Sequence, residues 1–260
     1  MSWNTVIVIV VLAGYFIGTG LLNPASFYLF PAYSEPNLSI ALFIAACGFL
    51  LVAAVIDIVA FAHAKCATAK SSDPPRDKRF GEERSRLLEE AGASPATRAK
   101  PVNLAVVEKV GLLLGGLFFE VASILYWPSF TTPDGIPVAR IGTWVFRTGS
   151  CCYLMGSFAT LHDLRHFAPR GTTLERWNFG LALGATWSYI VGALLYISGG
   201  VLSEAKAPPL YFASLWMCGS VLFFLGTCLL CVQYALSKCC ASAATSSEEH
   251  QRLKEYSSVQ

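Results

Sequence analysis

The sequence predicts an all-α membrane protein with six transmembrane helices arranged as three repeated helical hairpins. Three observations predict it. Charged residues make up 14% of the chain and hydrophobic ones 54%, whereas a soluble domain carries about 25% charged residues. The apolar residues gather into six windows, 5–22, 38–62, 105–127, 138–160, 179–197 and 210–236, each near the ~20 residues needed to cross about 30 Å of hydrocarbon. Finally, the first window of each successive pair carries two glycines spaced four apart.

Taken in order, residues 1–62 form the first hairpin. Its leading window has neither a basic flank nor a small-residue cleavage site, so it is expected to remain as a span rather than to be removed as a signal peptide. A charged segment, 63–104, follows. Its mixture of both charges with Ser, Pro and Gly predicts a flexible loop, with a short helix over 82–90. The second hairpin occupies 105–161, a short loop 162–177, the third hairpin 178–237 and a tail 238–260. The N-terminus, the 63–104 and 162–177 loops and the tail together hold fifteen Lys and Arg, while the opposite side holds only Arg140 and Lys206. Counting Lys and Arg by side places both termini in the cytosol. Trp3 and Trp177 then fall at the inner interface and Trp127 at the outer one, where aromatic side chains concentrate.

The glycine pairs are Gly14 and Gly18, Gly111 and Gly115, and Gly180 and Gly184. A shift of 97 also lays Phe30-Pro31 and Pro36 on Trp127-Pro128 and Pro133. A shift of 70 lays Leu125-Tyr126 on Leu195-Tyr196, Gly149-Ser150 on Gly219-Ser220, and Gly156-Ser157 on Gly226-Thr227. Lipid gives helices no hydrophobic reason to associate, so small residues that let backbones approach are favoured between them. Gly149 and Gly156, like Gly219 and Gly226, lie seven apart and so share one helix face. The plainer account is that glycine is simply common in membrane helices. With Trp127, Pro128, Gly142, Thr143, Trp144, Phe146, Gly149, Ser150, Tyr153, Gly156 and Ser157, the second hairpin resembles the YrhK-like domain, a two-helix membrane unit. The third hairpin fits it in part and the first poorly. The resemblance implies a membrane unit without an assigned reaction.

Ionisable residues within a span are costly and mark functional hypotheses. Glu120 lies seven residues before Trp127 and Arg147 nine after Val138, which places them about 10 and 14 Å deep on antiparallel partners. An intramembrane Glu120–Arg147 ion pair is therefore expected, either fixing helix register or relaying ions. Asp57 is expected to be a solvated residue at a helix end.

Cysteines are confined to spans and cytosolic flanks, so no disulfide framework is expected. Cys228 and Cys231 form a CxxC without a second ligand pair, which favours buried small side chains over a metal site. Cys66, Cys239 and Cys240 are possible lipidation sites beside the membrane. His162 and His166 share a helix face, but beside Arg165 and Arg170 they fit headgroup contact better than a metal. Possible sorting signals are the acidic-dileucine pattern of Glu83, Leu87 and Leu88 and the tyrosine pattern of Tyr256 and Val259. The plasma membrane and endomembranes both remain open as the compartment. The sequon Asn37-Leu38-Ser39 abuts the second span, where a glycosyl transfer enzyme would not reach it. No phosphate loop, nucleophile elbow or zinc-protease motif occurs, no cofactor is implied, and a net charge of +2 without a basic stripe gives no nucleic-acid partner. The expected role is a non-enzymatic protein that assembles or organises others within the bilayer, with possible homo- or hetero-oligomers through Gly-rich helix faces. The alternative is a small solute or ion transporter using Glu120 and Arg147.

Overall fold

A computed structural model describes residues 3–70, 104–127, 138–166 and 173–257. Among the described residues all regular structure is helical: α1 (Trp3–Phe27), a 3-10 turn (Pro31–Tyr33), α2 (Pro36–Lys70), α3 (Leu104–Leu125), α4 (Ala139–His166), α5 (Thr173–Glu204) and α6 (Pro209–Ser257). Several of these helices outrun the apolar windows. α2 continues through the first part of the expected loop and α6 through most of the expected tail, because helix length is not limited by the length of an apolar run. The 82–90 helix lies outside the described residues.

Proline marks the starts. Pro36 and Pro209 stand at the first positions of α2 and α6, where a missing amide costs nothing. Pro24, inside α1, removes the amide that would reach the Gly20 carbonyl, and the helix ends one turn later. α5 ends differently. The Ala207 amide donates to the Leu202 carbonyl and the Lys206 amide to that of Ser203, a Schellman cap with Lys206 in the left-handed region at φ 56°.

Four helices are long and apolar enough to cross a membrane: Thr5–Phe27, Pro36–His63, Arg176–Glu204 and Pro209–Ser237. They point to an integral membrane protein. α3 and α4 fall short. α3 carries Glu108, Lys109 and Glu120 within 22 residues, and α4 dilutes its apolar residues with Arg147 and a run of Gly, Ser and Thr.

Each helix packs on its neighbours in the chain, and α6 returns to pack on α1, so the six close into a ring. The middle is filled by rings. Phe119 stacks on Phe146 with centroids 4.6 Å apart and planes 16° apart. Tyr196 lies 5.2 Å from Phe146, and Phe223 lies 5.6 Å from Tyr153 and 5.5 Å from Tyr196. α1 and α2 add Leu22, Phe43, Ala46, Cys47 and Leu50 to the same core. Hydroxyls close the seam between first and last helix. Ser220 donates to the Trp216 carbonyl at 2.9 Å and has Ser26 Oγ at 2.7 Å and Tyr196 Oη at 2.6 Å, so one donor and two lone pairs are all used. One turn pair along, Thr227 lies 2.8 Å from Tyr189 Oη and 3.4 Å from Thr19.

Candidate functional site

Close glycine packing occurs in all three helix pairs, and in α5 it falls on Gly192 and Gly199, against Phe223 and Trp216, rather than on the GxxxG. A Cβ on Gly14 would lie 2.9 Å from that of Ala53, and one on Gly18 2.9 Å from the Ala46 carbonyl. Gly111 is as close to the Cys152 carbonyl, and Gly115 faces the Tyr153 ring. Gly149 is held against Phe119 and Phe118, and Gly156 against the Glu108 carbonyl. Gly219 and Gly226 lie over the Gly192 and Ala185 carbonyls. Gly180 departs from the expected pattern: a Cβ there would meet nothing within 4 Å among the described residues, and one on Gly184 would meet only the tip of Leu229. α5 instead approaches α6 most closely through Ala185 and Gly192, so of its GxxxG pair Gly184 touches α6 only at a side-chain tip and Gly180 lies outside that contact.

The Glu120–Arg147 pair does not form. Arg147 instead forms an ion pair with Glu204 at the end of α5, and Glu120 Oε2 is buried without a hydrogen-bond partner. The expected depths were compatible, since Phe119 and Phe146, each one residue earlier, stack directly. Angle decides the outcome. α3 and α4 run antiparallel, so one residue beyond that stack turns the two side chains away from each other. Glu120 follows Gly116, which faces Leu51 of α2, by one helical turn, whereas Arg147 lies along Gly200 of α5, 3.0 Å from a Cβ there. The absent side chain at Gly200 is what lets the arginine stem run along α5 to its terminus. Its guanidinium also covers the Trp144 ring at 4.2 Å, a cation–π contact.

Asp57 is likewise not a free solvated end. Lys109 Nζ lies 2.8 Å from Asp57 and 3.2 Å from Glu108, joining α2 to α3 at the end of the ring that bears the termini. Neither Glu204 nor Lys109 stood out in the sequence. Lys109 follows directly on Glu108, which reads as a neutral local pair. Glu204 is acidic, and side-counting considers only Lys and Arg. The one signal for it was Gly199-Gly200 one turn earlier, a space for a long side chain.

At the opposite end, where α5 turns into α6, a polar cleft of about 470 Å³ is lined by Tyr126, Ala139, Arg140, Thr143, Ser203, Glu204 and Lys206. The two basic residues assigned to the lightly charged side thus share one cleft. An apolar cavity of about 100 Å³ adjoins it through Tyr126, whose hydroxyl donates to Thr143 at 3.0 Å.

Cys228 and Cys231 carry free thiols, and no cluster of three metal-ligating side chains occurs among the described residues. Ser39 of the sequon is buried and donates to the Ala25 carbonyl at 2.7 Å. The side chains of Cys66, His166, Cys239, Cys240 and Tyr256 lie outside the described residues, as do Glu83, Leu87, Leu88 and Val259 altogether. Comparison with known proteins found no matching family model, no matching curated protein and no matching solved structure.

Proposed function

We propose that all six helices cross a membrane as three hairpins with both termini cytosolic, and that the protein is a non-enzymatic organiser of membrane assemblies. Composition excludes α3 and α4 only when every residue is counted alike. Their outward faces are apolar: Val106, Val110, Leu114, Leu117, Val121 and Ile124 on α3, and Ile141, Trp144, Met155 and Phe158 on α4, are all exposed. Arg147 meets Glu204 and Lys109 meets Asp57, so most of the charge that lowers the average is paired between helices rather than presented to lipid. The excess of Lys and Arg on one side supports the orientation, and the resemblance of α3–α4 to the YrhK-like domain supports a membrane unit.

The observation that carries the organising role is the open Gly180 on α5, one turn from the half-buried Gly184. Gly14, Gly18, Gly111 and Gly115 are enclosed within the chain, whereas Gly180 is exposed, and a Cβ there would meet no other helix within 4 Å among the described residues. Such a surface lets a second transmembrane helix approach to backbone contact, and the occupant is another copy of this chain or a different membrane protein. The rival reading, a transporter, draws on the buried oxygen of Glu120 that lacks a partner. The aromatic side chains that fill the middle of the ring weigh against it.

Crosslinking in native membranes tests the proposal. The wild-type chain is expected in a complex that Gly180→Leu with Gly184→Leu disperses. A wild-type chain that is monomeric and partner-free would sink the organising role. An ion or solute flux in proteoliposomes that disappears in Glu120→Gln would replace it with the rival. Labelling single cysteines at 140 and 176 with an impermeant maleimide in intact cells checks the orientation, with only the former expected to react.

A further inference from the structure

The cleft at the α5–α6 turn has a charge arrangement that the organising role does not use. Three charged side chains line it, and one is already answered: Glu204 pairs with Arg147. Arg140 and Lys206 form no ion pair among the described residues, so among these residues the cleft holds two cations without a partner. The neutral groups cannot offset them. The Thr143 proton goes to the Ala139 carbonyl and the Tyr126 proton to Thr143, so these hydroxyls are held in place as walls.

Lys206 is itself unusual. It occupies the left-handed position of the Schellman cap, which glycine fills at least strain and a side chain fills at a cost. A lysine there is not explained by the turn. The apolar cavity is walled by Phe43, Phe146 and Trp216, and Tyr126 lines both it and the cleft. An apolar cavity of 150 Å³ holds benzene, so about 100 Å³ accommodates only a few carbons.

We infer that this end of the ring is a binding site for an amphiphilic oxyanion, its head held between Arg140 and Lys206 and a short apolar end seated against Phe43 and Trp216. Guanidinium and ammonium donors suit such a head through charge-assisted hydrogen bonds, and the step from polar cleft to apolar cavity selects against a purely inorganic anion. The ligand class is met by a free short-chain alkyl phosphate or by an anionic lipid that seats only the few carbons nearest its head in the cavity. The inference is independent of how many helices span the bilayer and of their orientation.

Calorimetric titration of the full chain in neutral detergent with butyl phosphate, and separately with inorganic phosphate, tests it. Butyl phosphate is expected to bind at least tenfold more tightly than phosphate. Arg140→Gln with Lys206→Gln is expected to weaken it at least tenfold, which is about 1.4 kcal/mol. Phe43→Trp, which fills the cavity, is expected to abolish the preference for the alkyl group while leaving phosphate binding in place. No binding, equal affinity in the double variant, or no preference for the alkyl group would each overturn the site. Arg140→Gln alone serves if the double variant misfolds. In nanodiscs, displacement of butyl phosphate by phosphatidic acid but not by phosphatidylcholine assigns the site to a lipid. Failure of both to displace it assigns the site to a soluble amphiphile.

Discussion

The α3–α4 and α5–α6 pairs carry matching residues at a shift of 70 and put them to different uses. In the first, Tyr126 bonds Thr143 near the helix ends, and Ser150 bonds only its own helix, at the Phe146 carbonyl. In the second, Tyr196 reaches past the matching Ala213 to Ser220, the counterpart of Ser150, and through it to Ser26 of α1. Glu120 and Arg147 are replaced by Ile190 and Met217. The connections differ too: α5 passes to α6 through the tight cap at Lys206, while α3 and α4 are separated by 126–138. A shorter connection moves the register of the second helix, so the same hydroxyl meets a different neighbour. Matching residues fix where a group stands along its helix and leave its partner to be set by register and rotation.

The largest expected effect sharpens this contrast at the aromatic centre. Phe119 is 1% exposed and stacked on Phe146, and Phe119→Ala should cost about 3–5 kcal/mol in equilibrium unfolding in mixed micelles. Tyr189→Ala, at the matching position, should cost less, because Tyr189 is only half-buried. Equal losses would mean that the two pairs share one packing plan. Next come the glycines. Gly111→Ala presses a methyl against the Cys152 carbonyl backbone and should cost about 1–3 kcal/mol. Gly180→Ala meets open space and should be neutral or gain up to about 1 kcal/mol from helix propensity. Both are readable from thermal midpoints.

The ion pair gives a smaller effect. Arg147 and Glu204 are 14% and 28% exposed, so solvent screening discounts the interaction, and Glu204→Gln should cost about 1–2 kcal/mol. Glu120→Gln should cost less than Glu204→Gln. The reverse order would restore Glu120 as the partner of Arg147. The smallest effect is the seam between α1 and α6. A double-mutant cycle of Ser26→Ala and Ser220→Ala should return a coupling of about 0.6 kcal/mol, and zero coupling would remove that bond from the account of ring closure.

The helices and their order were legible because apolar length is a one-dimensional property. Windows near α1, α2, α5 and α6 follow from composition alone. That Glu120 and Arg147 stand at a similar level on adjacent helices was legible for the same reason, as the Phe119–Phe146 stack one residue earlier shows. What could not be read was rotation. Depth is counted along one helix, but whether a side chain faces the preceding or the following helix depends on which helices flank it. In a ring each helix has two such neighbours. Arg147 chose α5 because Gly200 left space there, and Gly180 was left outside because Ala185 and Gly192 took the inner face. The cleft was half legible: Arg140 and Lys206 were singled out as the two cations on their side, but nothing in their spacing of 66 positions brings them together.

Closure of the ring also sets an order of manufacture. Ser26 and Ser220 are 194 positions apart in the chain, and Thr19 and Thr227 are 208 apart. A ribosome adding about 5–20 residues per second leaves α1 waiting roughly 10–40 s for α6. During that interval its small-residue face rests on α2, but its hydroxyl seam has no counterpart. α6 is therefore the keystone, and a chain stalled before it is an open arc with one unmatched edge at each end.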